Sequence, residues 1–227
     1  MTDNKAPGSI IQQPVPIRKQ VYEYLRNQIL SNAIEPSTRL VEAQIAKEIG
    51  ASRTPVREAM HLLEKDGFLE SIPRVGYRVK KLDREELEEI VEIRRVNELL
   101  ACRWAIKILD ANAIQALERN LEMSKAAIDN GHPEEFLKYD EEFHEILVGA
   151  GKRPHISALC QQLRRLMLRY RYESLRDQES VEKALKGHQR ILDCLKKKDE
   201  KGLEAAIIAH LDYSLANIRL HTLDDAR

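Results

Sequence analysis

Gly50-Ala51-Ser52-Arg53-Thr54-Pro55-Val56-Arg57-Glu58-Ala59-Met60 reads as a helix start set directly behind a helix stop. Gly50 is the residue type that ends helices, Ser52 or Thr54 suits the next N-cap, and Pro55 falls in the first turn, where its missing N–H costs nothing. From there Val56, Ala59, Met60 and Leu63 recur at helical spacing, and the pattern stops at Asp66-Gly67. Arg53, Arg57 and His61, spaced by four, form a stripe opposite that apolar face. Working outward, Ile45 and Ile49 mark a short helix over about Val41 to Ile49. Val21, Leu25, Ile29 and Leu30 mark another from Ile17, broken at Glu35-Pro36-Ser37. Downstream, Phe68 to Ile72 and Gly76 to Val79 read as extended segments joined by Pro73-Arg74-Val75. Three helices followed by a hairpin predict a winged helix-turn-helix. Its third helix would enter the major groove, where guanidinium groups read guanine edges or clamp phosphates. Arg74 would meet phosphate or the minor groove, and Gly76 would let the wing backbone come close to the duplex. Taken alone, the stripe is a solvated face in which Arg57 pairs with Glu58 or Glu64; its place behind a helix, turn and cap favours DNA.

The rest of the chain is of another kind. At 227 residues and 26.2 kDa, the length suits one to two domains. Lys+Arg and Asp+Glu are both 37, so no global field advertises nucleic acid or membrane binding. The neutral total hides an asymmetry: through Leu82 there are 13 basic and 9 acidic side chains, a net of +4, which leaves −4 beyond. Aromatics at 5%, with Gly 9 and Pro 8, argue against an all-β fold. No apolar run approaches a membrane span and the start Met1-Thr2-Asp3-Asn4-Lys5 is polar, which reads as cytoplasmic. Cys102, Cys160 and Cys194 are far apart and read as reduced, small core hydrophobes. Met1 to Pro16, with Pro7, Gly8, Pro14 and Pro16, reads as a mobile arm. The expected division is therefore an arm (1–16), a DNA-binding domain (17–82) and an all-helical body (83–227).

That body opens at Asp83-Arg84-Glu85-Glu86, a capping-box pattern. Apolar positions beyond it mark about six helices, with breaks near Asp110, Gly131-His132-Pro133, Gly149-Ala150-Gly151, Asp177 and Lys198-Asp199. Within it, Asp140 and His144 stand one helical turn apart on one face. His188 lies among Leu185, Ile191 and Leu192, and His210 follows Ile207 by three, so both point inward. Leu163 to Tyr172 interleaves Arg164, Arg165, Arg169 and Arg171 with a buried stripe of Leu163, Leu166, Met167 and Tyr170. It reads as an amphipathic helix whose cations face outward or an interface.

The run from Leu40 to Met60, followed by Leu63-Glu64-Lys65-Asp66-Gly67, closely resembles the DNA-binding domain of GntR-family bacterial transcription regulators. With the helical body, the resemblance points to the FadR subfamily with its FCD ligand-binding domain. It implies operator contacts from Arg53, Thr54 and Arg57. Where some members carry an arginine ten residues before the first of these, this chain has Ala43, and its wing reads Arg74-Val75-Gly76 where Arg-Gly is common. The resemblance also implies that Asp140, His144, His188 and His210 ligate a metal. Singly, each reads as a core or surface residue with its own hydrogen bond; as three imidazoles and a carboxylate they suit Zn²⁺ or Ni²⁺, with Mn²⁺ a competitor. By the same resemblance Arg94 would hold an effector carboxylate, although pairing with Glu98 one turn on is the simpler reading and Arg95 competes for either role. Asn217, seven residues after His210, is a further candidate effector contact.

The expectation is a homodimeric regulator on a palindromic operator, its affinity set by a small organic acid at the metal site. Two rival readings are a sensor for which the ion is itself the signal, and a metal-dependent hydrolase. The hydrolase would need a general base beside the metal, and no HExxH-type helix supplies one.

Overall fold

In a computed structural model, residues 15–132, 135–175 and 177–223 are described. Of the expected arm only Val15 and Pro16 fall among them, both exposed. The chain divides into two compact units between Lys80 and Lys81.

The first unit holds α1 (Ile17–Leu30), β1 (Arg39–Leu40), α2 (Glu42–Glu48), α3 (Arg53–Lys65), β2 (Leu69–Ile72) and β3 (Gly76–Val79). α3 buries Val56, Ala59, Met60 and Leu63 and packs on α1, which buries Val21, Leu25, Ile29 and Leu30. Tyr22 of α1 donates to Asp66 at 2.7 Å. The strands form an antiparallel sheet in the order β1-β3-β2. β1 was not expected, because two residues carry no periodicity of their own; pairing with Tyr77 and Arg78 creates it. Ser52 stands at the N-cap of α3 in extended backbone, but its hydroxyl bonds no first-turn N–H, which corrects the side-chain cap expected of Ser52 or Thr54.

Gly76 has a reason within the fold besides the one expected. Its φ is +132°, and a Cβ there would lie 2.6 Å from the Leu40 carbonyl oxygen, so the approach of β1 already demands glycine whether or not DNA is near.

The second unit is α4 (Arg84–Ile108), α5 (Ala111–Asp129), α6 (Phe136–Gly149), α7 (Pro154–Ser174), α8 (Gln178–Lys197) and α9 (Glu200–Ile218), closed by a π-helical turn, Arg219–Leu223. The expected six helices are these. Four of them begin under an aspartate, since Asp83, Asp110, Asp177 and Asp199 accept from the N–H groups of Glu86, Ala113, Ser180 and Gly202 at 2.8–2.9 Å. Each such cap is worth about 1 kcal/mol. α4 packs on α7 and α9, α5 on α6 and α8, and α8 on α9. A central core of Cys102, Leu117, Phe143, Leu147, Ile191, Leu195, Leu203 and Leu211 fills the space between them. α6, α8 and α9 each bring a member of this core within three residues of His144, His188 or His210.

On α7, Leu163, Met167 and Tyr170 are buried as expected. The cations are not an outer face: Arg164, Arg169 and Arg171 are buried too. The reason lies on the neighbouring helix α6, where a buried carboxylate receives two of them.

Candidate metal centre and DNA-binding face

Asp140 and His144 come from α6, His188 from α8 and His210 from α9, and all four are 0–7% exposed. One donor atom from each lies within 4.8 Å of all the others. His144 Nε2 is 3.2 Å from both His188 Nε2 and His210 Nε2, and His188 Nε2 is 3.4 Å from Asp140 Oδ1. Ions that bind imidazole at about 2.0–2.1 Å hold neighbouring donors about 3.0–3.4 Å apart, so these spacings are those of a shared centre. Asp140 Oδ1, the oxygen turned to the centre, is buried with no hydrogen bond among the described residues, and Nδ1 of each of the three histidines also makes none.

The rings are held from outside. Phe143 stacks on His188 with centroids 4.2 Å apart and 9° between planes, and Phe136 also stacks against that ring at 5.9 Å. His210 presses its Nδ1 against Gly187, where a Cβ would come within 2.9 Å.

Burial pushes the imidazole pKa values down, to about 3 for His144, where the Arg164 charge adds to it, and well below the ordinary range for His210. His188 shifts the same way. All three are neutral at pH 7, the state in which imidazole ligates metals. Burial alone would raise Asp140, but the guanidiniums of Arg171 and Arg164, on its Oδ2 at 2.5 and 2.7 Å, more than offset it and hold the carboxyl well below the usual range. These two arginines were missed at the sequence level, where they looked like any exposed helical cation.

Arg94 points inward at 2% exposure, and its Nε and Nη2 both donate to Glu98 Oε1, at 2.9 and 2.7 Å. The other oxygen of Glu98 lies 3.4 Å from His144 Nδ1. Arg95 turns outward to Asp212. Asn217 is occupied elsewhere, accepting from Ser180 Oγ at 2.9 Å and donating to the Ser174 carbonyl at 2.8 Å. A cavity of about 190 Å³ reaches His144 and is lined by Val148, Cys160, Gln161 and Arg164, with Glu141 and Glu145 beside them. Arg94 and Asn217 are not among its lining residues.

In the first unit, Arg53, Thr54, Arg57 and His61 all lie on the exposed side of α3. Arg53 is without a hydrogen-bond or ion-pair partner among the described residues, whereas Arg57 Nε donates to Glu42 Oε2 of α2 at 2.9 Å, rather than to Glu58 or Glu64. Arg74 is exposed at the hairpin tip, in left-handed backbone at φ +65°.

Residues 17–79 match the family model for bacterial regulatory proteins of the gntR family, and residues 89–213 match the FCD domain. The chain belongs to the GntR family. It is an FCD-bearing member of the FadR type, and so a DNA-binding transcriptional regulator. The Bacillus subtilis (strain 168) regulator YdhC is 32% identical to it over 96% of this chain and 97% of its own length. The Escherichia coli (strain K12) repressor RspR is 28% identical over 90% of each chain. Among solved structures, E. coli McbR/YncC superposes with a TM-score of 0.75 at 26% identity, covering 91% of this chain and 98% of that one. These relatives are regulators of transcription, not enzymes. No helix of the described residues is long and apolar enough to cross a membrane.

Proposed function

We propose that this GntR/FCD regulator binds a palindromic operator as a homodimer and that a small organic acid, taken up beside a divalent metal in the helical unit, sets its operator affinity. The observation that carries the reading is the convergence of Asp140, His144, His188 and His210 on one buried point. Three neutral imidazoles and one carboxylate suit Zn²⁺ or Ni²⁺, with Mn²⁺ also compatible. Bound there, such an ion supplies Lewis-acid attraction for a carboxylate oxygen.

The protein's own groups favour an anion. Among the described buried groups around the centre, the guanidiniums of Arg94, Arg164 and Arg171 stand with the carboxylates of Glu98 and Asp140, while Glu141 and Glu145 line the cavity from less buried positions. An excess positive charge inside a helical core is costly until an anion joins it. Arg164 keeps Nη1 without a partner among the described residues and lines the cavity that reaches His144, so we assign it the effector carboxylate. Arg53, Thr54, Arg57, Arg74 and Gly76 are the proposed duplex contacts, Gly76 serving the wing through its contact with β1 as well. Ile93, Val96 and Leu100 form an exposed apolar stripe along α4, at 39, 68 and 38% exposure, which supports pairing of two copies through that helix. The effector changes operator affinity only so far as it binds the DNA-competent and incompetent arrangements differently.

Elemental analysis and mass spectrometry of natively purified protein test this reading, together with operator titrations before and after chelation. One equivalent of a first-row metal per chain and an operator affinity moved by a carboxylate are expected. Loss of operator binding on chelation, with no response to any carboxylate, would replace the effector reading by a metal sensor. Absence of any tightly held metal would end both.

A further inference from the structure

Glu98 is a charged side chain with 2% exposure that belongs to none of the proposed contacts with metal, effector or DNA. Burying a carboxylate is expensive unless something specific is gained by it. Oε1 takes two donors of Arg94, and Oε2 stands 3.4 Å from His144 Nδ1. That nitrogen makes no hydrogen bond among the described residues, and the Glu98 carboxylate is the acceptor placed beside it.

A neutral imidazole carries one proton, and its placement decides which nitrogen has the free lone pair. With the proton on Nδ1, facing Glu98, the lone pair of His144 is on Nε2, the atom that meets His188 and His210 at 3.2 Å. With the proton on Nε2, the ring could not ligate at the shared centre. Arg94 in turn fixes Glu98, since two donors on Oε1 hold the carboxylate plane and leave Oε2 directed at the ring. α4 thus supports the centre without contributing a ligand to it.

We propose that Glu98 is a positioning residue for the metal centre, setting the tautomer and orientation of His144, and that Arg94 acts through Glu98 rather than by gripping the effector. This rests on the metal reading above. It gives Arg94, its neighbour Glu98 and His144 one linked role, and it leaves the effector carboxylate to Arg164.

Calorimetric titration of apo protein with Zn²⁺ and with Ni²⁺ tests it, using wild type, Glu98→Gln, Glu98→Asp and the double variant Arg94→Met with Glu98→Leu. Glu98→Gln leaves Arg94 buried beside a neutral amide and risks unfolding. The double variant removes both charges at similar volume, a replacement that buried ion pairs often tolerate. Its fold is checked by thermal melting and helical circular dichroism. Loss of a carboxylate behind a ligating histidine typically costs about 10–100-fold in metal affinity, and that drop is expected for Glu98→Gln and the folded double variant. Glu98→Asp should recover part of it. The Co²⁺ d–d spectrum of the double variant should also change shape, because one donor has turned.

A folded double variant that binds both ions as wild type does, with an unchanged Co²⁺ spectrum, overturns the proposal. So does an Arg94→Met variant that keeps wild-type metal affinity but loses only its carboxylate response, which would make Arg94 an effector contact. If wild type itself takes up no metal, the underlying reading fails first, and that result is distinct from either.

Discussion

Arg53 and Arg57 sit one turn apart on the same exposed face, yet they are different physical objects. Arg57 is tethered to Glu42, so its guanidinium is held in place before any duplex arrives; Arg53 is exposed and has no such tether among the described residues. Arg53→Ala should therefore be the cleaner test of base reading. It should abolish specific operator binding in a gel shift while melting temperature and oligomeric state stay at wild-type values. A variant that shifts the operator like wild type would mean that α3 is not the reading helix.

Gly187 gives a second prediction at this scale. Alanine is worth up to about 1 kcal/mol more than glycine inside a helix, so Gly187→Ala should not unfold α8. Its methyl would meet His210 Nδ1 at 2.9 Å and push the ring off the centre. The expected outcome is a metal affinity at least about tenfold weaker, on the scale of a disturbed ligand support, with helical content unchanged. An unaltered affinity would mean that His210 is not a ligand.

At the level of helices, much of the candidate site was legible because helices convert spacing into direction. Asp140 and His144 had to share a face, and His188 and His210 had to point inward once their apolar neighbours did. Arg164 and Arg171 were illegible for the complementary reason. Their own helix shows a tidy apolar stripe, and only the packing of α7 against α6 reveals that the cations beside the stripe meet a buried carboxylate. The Arg94–Glu98 pair was readable from i,i+4 spacing, but the approach of Glu98 to His144 joins α4 to α6 and has no local signature. β1 likewise exists only through its partner strand.

α7 also connects the centre to the start of the helical unit. The Tyr170 hydroxyl, next to Arg171, accepts from the Asp83 N–H at 3.2 Å and has Glu86 Oε2 at 2.9 Å and the Asp83 carbonyl at 3.1 Å as alternative acceptors for its one proton, so the N-terminus of α4 is stapled to the helix that clamps Asp140. Tyr170→Phe should cost about 1 kcal/mol of stability and leave metal affinity intact. If α4 relays the effector signal towards the linker at Lys80 to Asp83, the same variant should shrink the effector-induced change in operator affinity. An undiminished response in fluorescence anisotropy would place the relay elsewhere.

For the molecule as a whole, the buried groups of the centre make a joint statement about acid. His144, His188 and His210 have folded pKa values below their unfolded ones, and so do Asp140 and Glu98. For each, the unfolded chain binds protons first, so its contribution to stability is complete above the unfolded pKa and is lost as pH falls. For His144 the window runs from 6.5 down to about 3. The melting temperature of the apo protein should hold steady from pH 8 to about pH 7 and fall progressively below about pH 6.5, where unfolded histidines begin to take up protons. Added Zn²⁺ should raise it most at the upper end, because protons and metal compete for the same nitrogens. A melting temperature that rises on acidification would mean that these imidazoles are charged in the folded state.

The proposed metal centre needs four side chains from three helices to hold one cation. Element-specific anomalous diffraction from crystals of natively purified protein tests it most directly. A single metal peak is expected about 2.0–2.2 Å from Nε2 of His144, His188 and His210 and from an oxygen of Asp140. A metal-supplemented crystal with no peak there, and the Nε2 atoms instead paired with one another through hydrogen bonds, would contradict it.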